Sequence, residues 1–197
     1  MKLSIIGASG HGKVVADIAE KNGYDEIEFY DDDESLKICG KWPVVGTVSE
    51  VMGSDVFIAI GNAKTREKIT NQFKDRRFPT LIHPSSVVAD DVVIGEGSVV
   101  MAGAVINSGT RICKGVIINT CSSVDHDCTI DDFVHISVGA HLAGTVSVGK
   151  RAWISVGSNV VNNMMICEDV VVGAGAVVIR DIIEQGTYVG VPARKIR

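Results

Sequence analysis

From Ile82 onward an aliphatic residue returns at every sixth position: Ile82, Val88, Ile94, Val100, Ile106, Ile112, Ile118, Val124, Ile130, Ile136, Leu142, Val148, Ile154, Val160, Ile166, Val172 and Val178. In a fixed frame such a run has a chance on the order of 10⁻⁸, so the segment is a repeat. A second column sets the same frame. Four residues after each aliphatic position the side chain is small or β-branched, from Val92, Ser98, Ala104 and Thr110 through to Ser158, with Met164 the large exception. A period of six is neither the 3.6 of a helix nor the 2.0 of a strand, and it requires a short strand followed by a tight bend, repeated. Three such units close a triangular coil of 18 residues. In that coil the aliphatic residue points into the prism, the small residue turns the corner, and each strand bonds to its equivalent one coil away. Residues 82–178 supply more than five coils without an inserted loop. An antiparallel sandwich, the rival architecture, places its turns every 8–12 residues.

Residues 1–80 read differently: a strand over 3–6, a glycine-rich turn, a helix from 13 to about 22, strands over 27–30 and 56–60, and a helix over 65–73. That alternation predicts a small Rossmann-like α/β unit with a parallel sheet, followed by the solenoid over 81–197. The first turn, Gly7-Ala8-Ser9-Gly10-His11-Gly12-Lys13, lets backbone approach a ligand and offers free N–H groups at a helix start, which suits a phosphate. It is not a nucleotide-hydrolysing P-loop, because Val14 stands where the magnesium-binding Ser or Thr belongs. Nor is G-x-x-G-x-G the dinucleotide fingerprint G-x-G-x-x-G. Asp31, Asp32 and Asp33 follow the second strand, where they read equally as ribose-binding carboxylates or as a solvated turn. Gly61-Asn62 gives a second place of close backbone approach.

Composition narrows the classes of partner. The chain has 197 residues and a net charge of −5, with no basic cluster of more than three residues and few aromatics, which points to small molecules rather than nucleic acid. No apolar run approaches the ~20 residues of a membrane span. The start turns glycine-rich too early for a signal peptide, so a cytoplasmic location away from membranes is expected. The five cysteines (Cys39, Cys113, Cys121, Cys128 and Cys167) form no CxxC pair, and neither a disulfide framework nor a metal knuckle is expected.

The repeat also ranks the histidines. His126 stands two residues after the inward Val124, so it faces outward, and Asp125 and Asp127 bracket it. A neighbouring carboxylate favours the imidazolium and holds one tautomer, which suits a general base, although an exposed surface histidine has the same pattern. Residues 18 apart stack, which puts Ser108, His126, Gly144 and Asn162 in one column and leaves space and a backbone N–H beside the histidine. His135 falls in an outward column with Ile117, Trp153 and Val171. His135 and His141 are six apart, on successive faces of the prism, so no metal is expected there.

The pattern resembles the hexapeptide-repeat acyltransferases, which implies a left-handed parallel β-helix. The stretches Gly7-Ala8-Ser9-Gly10-His11-Gly12, Ile58-Ala59-Ile60-Gly61-Asn62, His83-Pro84, Ser122-Ser123-Val124-Asp125-His126-Asp127-Cys128 and Gly190-Val191-Pro192-Ala193 together resemble the sialic acid O-acetyltransferase type of sugar acetyltransferase. Within that family they are most similar to the UDP-4-amino-sugar N-acetyltransferases of bacillosamine-type pathways. The resemblance implies an acetyl-CoA-dependent N-acetyltransferase that works as a homotrimer, with acetyl-CoA as co-substrate and no metal. It makes His126 the general base and Asp127 the residue that raises its basicity. It puts His135, Gly144, Val156 and Ala174 on acetyl-CoA, and Ser9, Gly10, His11, Asp31, Asp32 and Gly61 on a UDP-sugar. O-acetylation of a sialic acid or related sugar uses the same base and stays open, as does a catalytically silent scaffold.

Overall fold

The apolar run after Lys2 forms an interior strand of a five-stranded sheet in the computed structural model, which describes residues 1–197. Two compact units, Met1–His83 and Pro84–Arg197, divide the chain at the His83-Pro84 junction. In the first unit the elements are β1 (Lys2–Ile6), α1 (Gly10–Lys21), β2 (Glu26–Tyr30), β3 (Ile38–Cys39), β4 (Trp42–Gly46), β5 (Val56–Ile58) and α2 (Ala63–Gln72). The sheet order is β3-β4-β2-β1-β5, parallel except for the β3 edge. Leu3, Ile5, Ile6, Phe29, Val56 and Phe57 are buried in it, as parallel strands covered on both faces require.

Three features differ from the expectation. The β3–β4 hairpin lies outside the expected elements: Ile38–Cys39 pairs antiparallel with Trp42 and Pro43, and Pro43, which has no N–H, precedes Val44, where β4 begins to pair with β2. β5 ends at Ile58 rather than residue 60. Helix α1 begins at Gly10 instead of residue 13, so the glycine-rich turn supplies its first turn. Gly12 explains the closeness of that turn: a Cβ there would lie 2.3 Å from the Gly7 carbonyl oxygen and 2.9 Å from the Phe29 ring. Asn62 caps α2, its Oδ1 accepting from the Thr65 N–H at 2.9 Å.

The second unit is a parallel β-solenoid of two-residue strands with an 18-residue register on every face, as in Val105↔Ser123↔His141, Arg111↔Thr129↔Ser147 and Ile117↔His135↔Trp153. Ile106, Val124, Leu142 and Val160 stack inside the prism, each fully buried aliphatic contributing roughly 1.5–3 kcal/mol. The small column does not turn the corner as expected. Ala104, Cys128, Ala140, Ala152 and Ser158 are themselves buried, and the residue before each carries the bend at positive φ. A tight corner needs a left-handed residue. Gly103, Gly139 and Gly157 supply it in some coils, and Asp127, Thr145, Arg151 and Asn163 are forced into it in others.

Gly95 and Gly149 mark a separate constraint, because a Cβ on either would lie 2.6 Å from backbone of the next coil. After Val178 the tail turns back: Gly186–Val189 pairs with Val170–Val172, and Tyr188 and Ala193 pack on the core. No helix is long and apolar enough to cross a membrane, and all five cysteines are free.

Candidate active site

The corner after Ser123–Val124 carries Asp125, His126 and Asp127, with Asp127 in the left-handed conformation (φ 58°) that short polar side chains tolerate. This bend turns the Asp127 carboxylate back onto the preceding imidazole, and Oδ2 lies 2.8 Å from His126 Nδ1. An ionised carboxylate only accepts hydrogen bonds, so Nδ1 carries the proton and the lone pair of the neutral ring is on Nε2. Both side chains are open to solvent, at 58% and 65% exposure. The Asp127 hydrogen bond, with the charges of Asp125 and Asp127, raises the His126 pKa above its ordinary value.

Two glycines make room for this pair. A Cβ on Gly144 would fall 2.5 Å from His126 Nε2 and Cε1, and one on Gly109 would fall 2.4 Å from Asp127 Oδ1. The Gly144 carbonyl accepts from Asn163, while its N–H takes no part in the backbone ladder. His126 and Gly144 are thus brought together as the 18-residue column implies, and Asp127 joins them as the next residue in the chain. Chemically the group offers a base with a fixed tautomer and an unused backbone donor next to it.

His135 lies on a different face of the prism. It stacks on Trp153 with ring centroids 6.0 Å apart and planes 8° from parallel, and its Nε2 is 3.1 Å from Asn119 Nδ2. Val156, 53% exposed, and the exposed Ala174 line the edge that follows this face. Within one chain these residues and His126 therefore belong to separate edges. His141 stands on a third position, bonded through Nδ1 to Ser123 Oγ at 2.8 Å, in neither group. One cluster of metal-ligating atom types, Cys113, Asp131 and Asp132, has its ligand atoms within 4.8 Å of one another; it includes no histidine.

In the first unit the Gly-rich turn, Asp31 and Gly61 meet at the carboxyl edge of the sheet. Asp31 Oδ2 accepts from the Ala8 N–H at 2.8 Å, tying the second strand to the turn. Ser9 and Gly10 are exposed at the start of α1. Buried Arg66 donates to the carbonyls of Ile60 (2.8 Å) and Gly61 (3.0 Å). His11 Nε2 is buried without a partner, and desolvation together with the Arg66 charge pushes its pKa down to about 4. Asp32 and Asp33 are committed to loop structure, Asp32 Oδ1 accepting from the Val48 N–H and Asp33 Oδ1 from the Ser35 N–H, each at 3.0 Å. Arg66 escaped the sequence reading because nothing in its helix pattern separates a buried arginine from a solvated one. Asn107 and Gly109 were findable, since each stands 18 residues before a member of the Asp125–Asp127 corner.

Comparison with known proteins agrees with this architecture. The PglD N-terminal domain family matches residues 2–73. UDP-N-acetylbacillosamine N-acetyltransferase of Bacillus subtilis (strain 168) is 38% identical over 106 residues, 48% of this chain and 49% of that protein. The matches span about half the length of the curated relatives. Among solved structures, the acetyltransferase domain of PglB from Neisseria gonorrhoeae FA1090 in complex with acetyl coenzyme A superposes with a TM-score of 0.95 at 41% identity, covering 99% of this chain and 98% of that one. PerB from Caulobacter crescentus, in complex with CoA and GDP-perosamine, gives a TM-score of 0.94 at 38% identity over 100% of this chain and 98% of that one. With likeness of that extent in both units, the chain belongs to the sugar acetyltransferase family that contains the gonococcal PglB domain and PerB.

Proposed function

We propose that this protein transfers an acetyl group from acetyl-CoA directly to the amino group of a nucleotide-activated sugar, a UDP-4-amino sugar, with His126 as general base. The observation that carries the reading is the His126 ring held through Nδ1 by Asp127, with Nε2 over Gly144. As the amine attacks the thioester carbonyl, Nε2 takes a proton from nitrogen and passes it to the departing thiolate. The developing oxyanion is met by the Gly144 N–H. No acyl-enzyme is required. The relatives support this choice of ligands, one being solved with acetyl coenzyme A and another with CoA and GDP-perosamine.

The first unit binds the nucleotide in this reading. Ser9, Gly10 and His11 at the start of α1 offer N–H groups to phosphate, with Arg66 the buried cation below them and Gly61 leaving the approach open. Asp31 and Asp32 take the ribose hydroxyls through their remaining lone pairs. His135, Val156 and Ala174 contact the pantetheine of acetyl-CoA. Because those three lie on another edge of the prism from His126, the complete site needs a second copy of the chain, and we assign a homotrimer acting in the cytoplasm.

Thiol release from acetyl-CoA with a panel of nucleotide-activated amino sugars tests the activity, and Gly144→Val should abolish it while the assembly persists; full activity in that variant removes the assigned role of Gly144. For the trimer, solution mass should be three times that of the chain. Mixing inactive His126→Ala and inactive Val156→Arg subunits should restore part of the turnover, and a monomer that is fully active refutes the shared site.

A further inference from the structure

The acetyl-transfer chemistry above makes no use of Asp125, the residue directly before the base. Asp125 Oδ1 accepts from the His126 backbone N–H at 2.8 Å and from Asn107 Nδ2 at 2.7 Å, the latter reaching up from the preceding coil. These donors fix the carboxylate at the corner, close enough to contribute to the raised proton affinity of the imidazole. The Asn107 bond keeps Asp125 itself below the usual carboxylate range, so it is ionised wherever His126 works as a base. Both donors are neutral, and Oδ2 accepts nothing within the protein. When His126 is the neutral base, the surrounding corner supplies no other counter-charge. Asp127 is engaged with the imidazole and Asp91 with Ser108 and Gly109, and the first cation in the His126 column is Arg180, three coils along.

An unanswered carboxylate beside a general base is of no use to an alcohol acceptor, which arrives neutral. An alkyl amine arrives as an ammonium near neutral pH, as the reference lysine value of about 10.4 illustrates. It needs a counter-ion while it docks and must shed one proton before it becomes a nucleophile. We propose that Asp125 receives the acceptor as its ammonium ion through the free Oδ2, and that this contact selects an amine over a hydroxyl at the reacting carbon of the sugar. The inference rests on the acetyl-transfer reading and deepens it. The ammonium loses its first proton to solvent at this exposed corner, and the neutral amine attacks the thioester carbon. As the C–N bond forms and the C–S bond breaks, His126 Nε2 takes the second proton and delivers it to the thiolate. The balance is one ammonium and one acetyl thioester giving one amide, one thiol and one released proton.

Asp125→Asn separates charge from structure, because the Asn Oδ1 accepts the same two hydrogen bonds. The measurement is calorimetric binding of a matched pair to the full-length protein: a UDP-4-amino-4,6-dideoxy sugar and its 4-hydroxy counterpart. The wild type should bind the amine about 10-fold or more tightly, the usual scale of one charge-assisted hydrogen bond. In the variant the two affinities should converge, with the hydroxyl ligand unchanged. Amine preference that survives in Asp125→Asn, equal weakening of both ligands, or no preference in the wild type overturns the inference. If the wild type turns over nucleotide-activated amino sugars while the preference survives the substitution, this inference alone fails. If it acetylates none of them, the acetyl-transfer reading falls and this one with it.

Discussion

His126 works as a base only after losing the proton that its own surroundings help it keep. The Asp127 hydrogen bond raises the pKa of the ring, so the imidazolium persists to higher pH than in an isolated histidine, and activity should climb as pH rises through that raised value. Replacing Asp127 with Asn removes the charge. The acid limb of kcat/KM against pH should then move to lower pH with a reduced plateau, and a limb that stays in place would show that Asp127 does not tune the base. His126→Ala should lower kcat by about 10²–10⁴-fold, the range for a general base, with the thermal midpoint unchanged because the ring is 58% exposed. His11 titrates in the opposite sense. Its folded pKa of about 4 lies below the ordinary histidine value of 6.5, so the unfolded chain takes up the proton first. The contribution is complete above the unfolded value and is lost as pH falls from about 6.5 toward 4. His11→Asn should flatten this part of the stability profile in urea titrations at a series of pH values, and an unaltered slope would mean that another group is responsible.

At the scale of the element, each solenoid corner is a bargain between a left-handed residue and the side chain it presents. Gly109 (φ 74°) supplies the bend one coil before Asp127 and leaves space for that carboxylate. Gly109→Ala introduces a Cβ against Asp127 Oδ1, so it should lower kcat/KM and displace the pH profile in the same direction as Asp127→Asn, although it alters no ionisable group. A profile identical to the wild type would show that the carboxylate has other room to occupy. Where the glycine follows the inward aliphatic residue the consequence is structural. Gly149→Ala places a methyl against the Glu168 backbone nitrogen, and overpacking of this kind costs about 1–3 kcal/mol, to be read from the urea midpoint of the solenoid.

At the scale of the whole molecule, a solenoid without a cap exposes the end of its core. Here Gly186–Val189 adds a last parallel rung, and Tyr188 and Ala193 lie on the core. Removing residues 186–197 should produce a chain that aggregates on size-exclusion chromatography, and a well-behaved truncated protein would place the cap elsewhere. The solenoid was the legible half of the chain. In an 18-residue coil the neighbour of every residue follows from its position alone, so the sequence determined that His126 faces outward, that Gly144 stacks beside it, and that His135 and His141 stand on different faces. It did not determine which residue bends the corner, because the inward small column and the left-handed residue before it alternate with the same period. In the first unit no such rule exists. Asp31 on the Ala8 N–H, Arg66 beside His11 and the β4 strand alongside β2 join residues whose separations repeat nowhere in the chain. Only the packing of helices on a parallel sheet brought them together. The tertiary structure therefore decided the environment at the glycine-rich turn, while the periodicity had already set the position of the base.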